Sequence, residues 1–356
     1  MARTASFNVS ASDILAFGDQ GEAAAHGGDL AAARALFPGA PEPFIDLSTG
    51  INPRPYPLPR LSKAITARLP EPNTVAQLRK AAARFYGAPS AACVVPSPGS
   101  QILLPLIAGL VPPGRATILA PTYGEFARAA ALAGQRVVVG CELAHAGDAD
   151  LAFICHPNNP DGRLFAREDL LAVGKRLDSH GGLLVVDEAF MDVGPDGASV
   201  AAEVCCGRIV VLRSFGKFFG LAGIRLGFAL TAPPLAQRLA AMLGPWAVSG
   251  PALAVGTRAL GDSAWIQKAR TRLAQAARTL DALLIASGLE IVGGTDLFRL
   301  ARMPAATALF AHLGRAGIFV RAFPDKPDWL RLGLPANRAA WRRLRIALAS
   351  FPRNCS

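Results

Sequence analysis

Four consecutive residues, Leu183-Leu184-Val185-Val186, are apolar at every position and run straight into Asp187-Glu188. A strand with one wet face alternates apolar and polar side chains. One that is apolar throughout must be covered on both faces, as in the centre of a parallel sheet flanked by helices. The run also delivers a carboxylate to the end of a buried strand, where desolvation is costly unless a cation meets it. Further apolar or β-branched runs stand at 92–96, 116–120, 136–140, 151–155, 209–212 and 227–230. Between them lie amphipathic stretches at 75–86, 100–110, 124–133 and 167–180. This alternation predicts an α/β fold with a mostly parallel sheet of seven strands between helices.

The stretch Gly-Pro-Trp-Ala-Val-Ser-Gly-Pro at 244–251 interrupts the pattern. A helical reading over about 251–287 follows, then a smaller α/β unit with strands near 290–292, 297–300, 318–321 and 330–334 and a last helix over 336–351. The proline-rich segment 38–59 reads as an extended arm. The expected organisation is an N-terminal arm with part of the small domain (1–64), a large domain (65–245), and a C-terminal small domain that includes the long linking helix (246–356).

Hydrophobic residues make up 51% of the 356 and charged residues 18%, which excludes a disordered chain. The longest apolar runs, such as 102–111, reach about ten residues, short of the roughly 20 that a helix needs to cross a bilayer. The start Met1-Ala2-Arg3-Thr4 lacks an apolar signal region, so a soluble cytoplasmic protein is expected. Its 37 Lys+Arg against 26 Asp+Glu give a net charge of +11. The basic residues are dispersed, without a run or interleaved aromatics, and favour small anionic substrates over nucleic acid or membrane. Cysteines at 93, 141, 155, 205, 206 and 355 form no CxxC pair, so reduced thiols and no metal site are expected.

Four motifs carry chemistry. Pro98-Gly99-Ser100-Gln101 falls where a strand passes into a helix, a place where backbone N–H groups cradle phosphate, although such turns are common in purely structural settings. His156-Pro157-Asn158-Asn159-Pro160-Asp161-Gly162 makes a tight turn that leaves an amide at the carboxyl end of a strand, the edge where open α/β sheets bind ligands. Asp187 fits either a cationic ligand or a structural ion pair. In the stretch 214–227, Lys217 sits among aromatics and glycines, with Ser214 three residues before it and Arg225 eight after. A poorly solvated lysine is driven towards the free amine that attacks an aldehyde, and a serine with an arginine suits a phosphate dianion.

In this order the motifs resemble the fold-type I pyridoxal-phosphate (PLP) enzymes, the aspartate-aminotransferase family, in its class I/II branch. The resemblance runs from about His26 to the last helix. It implies that Lys217 holds the cofactor as a Schiff base and that Asp187 partners the pyridine nitrogen. It gives Asn159 the ring's phenolic oxygen and Tyr123 the stack against the ring, and makes Ser100, Gln101, Ser214 and Arg225 the holders of the phosphate. A homodimer with active sites at its interface is implied as well.

Within the branch the chain resembles two groups, histidinol-phosphate aminotransferases and, more nearly, the threonine-phosphate decarboxylases of cobalamin synthesis. The nearer likeness rests on His26-Gly27-Gly28-Asp29, the segment 44–53, Pro245-Trp246-Ala247-Val248-Ser249 and Asp262-Ser263-Ala264-Trp265. It implies substrate contacts from His26, Gly28, Asn52, Asn159, Arg321 and Arg331, the two arginines serving a doubly anionic substrate. Which arginine takes which anion stays open. The group's Tyr-Pro-Asp reads Leu69-Pro70-Glu71 here, so a tyrosine that the neighbouring subunit normally lends to the phosphate is missing. Some proteins of this fold are parts of transcription regulators, but no helix-turn-helix pattern precedes His26.

Overall fold

The structure is a computed structural model and describes residues 27–352. The chain divides into two compact units. The first comprises Tyr56–Asn159 and Arg163–Ile266; the second comprises the described residues up to Pro55, Pro160–Gly162, and those from Gln267 onward.

In the second unit the helix Leu30–Leu36, capped by Asp29, comes before the short strand β1 (Ile45–Asp46), which lies inside the proline-rich segment that the sequence reads as an arm. The first unit then carries seven strands: β2 (Val94–Ser97), β3 (Arg115–Leu119), β4 (Arg136–Gly140), β5 (Leu151–Cys155), β6 (Leu183–Asp187), β7 (Ile209–Ser214) and β8 (Gly227–Thr231). They form one sheet in the order β2-β8-β7-β6-β5-β3-β4, parallel except for β8, which runs against both of its neighbours. Every residue of β5 and β6 is buried, as the unbroken apolar run requires. Over one face pack Leu103, Leu104, Ile107, Phe126 and Phe153, the two rings stacked at 5.3 Å. Each such side chain contributes roughly 1.5–3 kcal/mol on burial.

The helix Pro72–Tyr86 begins with proline at its first turn and stops at Gly87 in the left-handed region. Sequence periodicity starts this helix at 75, because Pro72 and Asn73 are weak helix formers that the first turn nevertheless accepts. The expected single helix over 251–287 is two, Gly250–Leu260 and Ser263–Ala286. Gly261 ends the first, and the Asp262 carboxylate accepts from the Trp265 N–H at 3.0 Å to cap the second. The helix Pro233–Leu243 is an element that the sequence reading leaves out.

The second unit pairs β1 in parallel with β11 (Ile318–Phe319). Four more strands, β9 (Glu290–Thr295), β10 (Phe298–Arg302), β12 (Arg321–Ala322) and β13 (Trp329–Gly333), form an antiparallel sheet in the order β12-β13-β10-β9. The expected single strand over 318–321 is therefore divided at Val320 between two sheets. Among the described residues no helix is long and apolar enough to cross a membrane.

Candidate active site

The register aligns the ends of five strands in one row. Cys155 of β5 pairs with Asp187 of β6, Asp187 with Leu212 of β7, Ser214 with Gly227 of β8, and Gly227 with Ser97 of β2. Every cofactor-binding residue expected from the sequence lies in the first unit, on this row or on the loops just beyond it.

Asp187 is buried, and its carboxylate accepts from the Ala189 N–H at 2.9 Å. Burial pushes its pKa up to about 6, and Glu188 adds to the rise; the Ala189 bond, Lys217 and Arg213 pull the other way without cancelling it. A carboxylate so placed is short of positive charge. Lys217 occupies the four-residue helix Phe215–Phe218 that leaves β7, half-buried, with Nζ 5.6 Å from the centre of the Phe190 ring. Phe215, Phe218 and Phe219 are fully buried and brace it from behind, Phe215 stacking on Phe219 at 4.4 Å and Phe219 on Trp265 at 5.6 Å.

The anion cradle is built by close approach. Gly99 has φ +85°, and a Cβ there would run into the Arg225 guanidinium. A Cβ on Gly227 would strike the Ser100 backbone N. Only glycine at both positions lets the turn, the arginine and the β8 strand meet. Arg225 itself holds φ 54°, ψ 63°, a left-handed conformation that costs a non-glycine residue about 1 kcal/mol or more and is often found where function requires it. Ser214, half-buried, ends β7 beside Gly227.

Tyr123 donates its hydroxyl to the Gln101 side chain at 3.1 Å, and Gln101 donates to Glu125 at 2.7 Å. Burial raises the Tyr123 phenol to about 12, with Glu125 and Asp187 adding to the effect, so it stays neutral. Gln101 therefore orients the tyrosine with its side chain and has its backbone N–H to offer an anion.

Asn159 is half-buried in its turn. Its neighbour Asn158, which the sequence reading passes over, is buried; it donates to the Pro121 carbonyl at 2.8 Å and accepts from Thr122 at 2.8 Å. That ties the asparagine turn to the loop carrying Tyr123. His156 is fully buried, receives the Phe165 N–H on Nδ1 at 3.3 Å and meets the Ala198 carbonyl through Nε2 at 3.1 Å. Burial lowers its pKa and keeps it neutral. Both residues sit in the motif already singled out, and their polarity beside a buried strand is the signal that marks them as anchors.

The expected substrate residues lie in the second unit, except Asn159 and His26, the latter lying outside the described residues. Arg321 and Arg331 are direct cross-strand partners on β12 and β13. Arg331 is buried and donates to the Ser48 carbonyl at 2.7 Å. Burial lowers its pKa to about 10, and the neighbouring Arg321 lowers it further against the pull of Asp46. Two arginines side by side, one desolvated, form a natural seat for an anion. Gly28 donates its N–H to the Ser48 hydroxyl at 2.8 Å, and Asn52, 2% exposed, accepts from the Arg54 N–H at 3.0 Å. Gly28 and Arg331 thus converge on Ser48.

In the first unit, an open sheet with a buried carboxylate, a half-buried amine and an anion cradle at one edge defines an enzyme for a phosphorylated, cationic-ring cofactor. The residues fit pyridoxal phosphate: Asp187 wants a cation, Gly99, Ser100 and Arg225 an anion, and Lys217 is a primary amine between aromatics. The comparisons agree. The chain belongs to the class I and II aminotransferase family, whose profile matches residues 44–340. It is 43% identical to a threonine-phosphate decarboxylase of Sinorhizobium sp over 329 residues, 91% of this chain and 97% of the relative. It is 44% identical to the Pseudomonas aeruginosa protein of the same name over 331 residues, 92% and 97%. A histidinol-phosphate aminotransferase of Symbiobacterium thermophilum is 30% identical over 84% of this chain and 88% of its own. The solved histidinol-phosphate aminotransferase of Sinorhizobium meliloti in complex with pyridoxal-5'-phosphate shares the fold, with TM-score 0.70 and 24% identity over 80% of this chain and 82% of that one.

Asp187 gives a pH signature to the cofactor-free protein. Its folded pKa, about 6, lies above its ordinary value of 3.8, so the stability linked to its neutral form is present below pH 4 and is lost as pH rises through 6. Asp187→Asn removes this loss. The variant should gain on wild type between pH 4 and pH 7 by an amount on the order of 3 kcal/mol, measured by urea unfolding at each pH.

Proposed function

We propose that this chain is a pyridoxal-phosphate-dependent carboxy-lyase that converts L-threonine O-3-phosphate to (R)-1-amino-2-propanol O-2-phosphate in cobalamin biosynthesis. The observation that carries the reading is the buried Asp187 carboxylate together with the Lys217 amine on neighbouring strand ends, in a chain 43–44% identical over nine-tenths of its length to proteins named threonine-phosphate decarboxylase. The aminotransferase reading has the weaker support, 30% identity to a histidinol-phosphate aminotransferase.

When bound, pyridoxal phosphate supplies an aldehyde for amines and a ring that accepts the electron pair left by bond cleavage. Lys217 Nζ is the primary amine that would hold the aldehyde. Asp187, kept from water, holds a proton on the ring nitrogen because the ionised carboxylate then gains the cation that burial denies it. Tyr123 offers its ring face and stays uncharged. Asn159 supplies an amide to the phenolic oxygen. Ser100, Ser214, Arg225 and the Gln101 N–H grip the phosphate.

The substrate brings two anions, a carboxylate and a phosphate. Arg331 and Arg321, with Gly28, Asn52 and His26, are assigned to them. Cationic groups that hold the substrate's carboxylate and phosphate would decide which bond at Cα is cleaved, carboxylate or hydrogen. Lys217 Nζ or a water would then deliver the proton to Cα. The same reading makes the protein a cytoplasmic homodimer. None of the five described cysteines is in a disulfide, which suits a reducing compartment. Leu69 and Trp246 in the first unit expose 65% and 59% of their surface, apolar area suited to a second copy.

Three experiments follow. Purified protein with pyridoxal phosphate and threonine phosphate, given no keto acid, should release carbon dioxide stoichiometrically. Turnover that requires 2-oxoglutarate would move the assignment to an aminotransferase. Lys217→Ala should lose the visible absorbance and the borohydride-trapped adduct; a variant that stays yellow and trappable removes the lysine from its role. Arg331→Ala should lower kcat/KM for threonine phosphate by about 100-fold or more, since it strips a buried charge-assisted contact, while cofactor absorbance is retained.

A further inference from the structure

Directly behind the proposed cofactor residues lies a charged cluster that the mechanism above does not use. Arg213 is the penultimate residue of β7, one before Ser214 and four before Lys217, and it is 5% exposed. Its guanidinium forks: Nη1 meets Glu188 at 2.5 Å and Nη2 meets Asp192. The Tyr86 ring lies 4.5 Å from its Cζ. Glu188 is further held by the Ser199 hydroxyl at 2.6 Å and the Val200 N–H at 2.9 Å, and its own N–H donates to the Leu212 carbonyl at 2.9 Å.

The positions of these residues matter more than their number. Side chains alternate across a strand, so the paired Asp187 and Leu212 share one face and the following Glu188 and Arg213 share the other. The ion pair therefore joins, from behind, the strand end that presents Asp187 to the strand that leads into Lys217. A buried pair of this kind is weak evidence for net stability, because desolvation offsets most of the attraction. What it does supply is fixed geometry, since a guanidinium fork admits few arrangements. The cluster also acts on Asp187 electrostatically: Glu188 adds to the rise in its pKa, and Arg213 opposes it.

We infer that Arg213 is a positioning residue whose fork onto Glu188 and Asp192 sets both the spacing of Asp187 from Lys217 and the negative field in which Asp187 works. The inference rests on the cofactor reading above. Around Asp187 the other titratable or charged groups are Lys217, Tyr123, Glu188 and Arg213, with His156 joined to it through the backbone at 2.8 Å. Of these, Glu188 is the one whose charge can be removed by a near-isosteric amide: the Gln oxygen still accepts from Arg213 and Ser199, and only the bond from the Val200 N–H is given up. Burial works against the charge on Arg213, but Asp192 and Glu188 outweigh it and hold the guanidinium protonated.

The test uses the full chain loaded with pyridoxal phosphate and follows the pH titration of the bound cofactor's visible absorbance, with kcat and KM measured on cofactor-saturated enzyme. Glu188→Gln removes a negative charge beside Asp187. It should shift the titration midpoint down by about 0.5 pH unit or more. Arg213→Lys keeps the charge and loses the fork; it should leave the midpoint near that of wild type, cut kcat at least tenfold and change KM by less than threefold. Arg299→Lys, which loosens a half-buried ion pair to Asp281 in the second unit, serves as the control for lost stability alone. Should Glu188→Gln and Arg213→Lys lower only the melting temperature, as this control does, the cluster is structural and the inference is overturned. If Arg213→Lys fails to fold, the midpoint of Glu188→Gln decides. Wild type that takes up no cofactor would instead overturn the function on which the inference stands.

Discussion

A carboxylate withdrawn from water at the end of a buried strand is the constraint from which this site follows. Leu183–Val186 must be apolar to fill the middle of a sheet covered on both faces, and the chain then places Asp187 where water is scarce. A protein gains nothing in stability by keeping an acid there with its pKa near 6. The position makes sense as half of an interaction whose cationic partner is brought by a ligand, in the way that strained or desolvated groups gather at functional sites. The lysine just beyond the next strand, the aromatic wall behind it and the fork of Arg213 are all arranged around that acid.

The proposed phosphate cradle obeys a different rule, steric rather than electrostatic. Backbone N–H groups bind an anion when the chain can approach it closely, and Gly99 and Gly227 give up their side chains so that Arg225 can close on Gly99 and β8 on Ser100. Arg225 accepts a left-handed backbone in the same arrangement. The second unit handles anions by yet another means. There, two arginines stand in cross-strand register, and Arg331 is driven to a lowered pKa by burial and by its neighbour.

Much of this was legible in the sequence because the signals are local. An unbroken apolar run specifies a covered strand, and a glycine-serine or double-asparagine turn after such a run specifies its functional edge. The strands 136–140, 151–155 and 183–187 coincide with the observed β4, β5 and β6 for that reason. Where the reading failed, the cause lay outside the local pattern. The reading ended β7 at Leu212 because an arginine looks like the start of a loop; Arg213 stays in the buried strand only because Glu188 and Asp192, 25 and 21 residues away in the chain, neutralise it. The helices Gly250–Leu260 and Ser263–Ala286 looked continuous because Gly261 alone is a weak stop, and it becomes a firm one once Asp262 caps the next turn. Gln101 could be placed near a phosphate by its motif, but not turned towards Tyr123, since Glu125, which holds it there, lies 24 residues on.

On the proposed reading, the groups at the sheet edge leave the choice of reaction open. A protonated ring, a gripped phosphate and a lysine amine would serve bond cleavage at Cα whichever bond is to break, so the choice between losing carbon dioxide and losing a proton rests with whatever fixes the substrate's anions. That places the burden on Arg321, Arg331 and the residues around Ser48, and Arg321 lies on a two-residue strand whose local pattern is weak. Specificity of this kind is a difference between two orientations of one bound molecule. It is governed by a few charge-assisted contacts rather than by the bulk of the core, so the sequence can declare the chemistry of the cofactor far more loudly than the bond that the enzyme breaks.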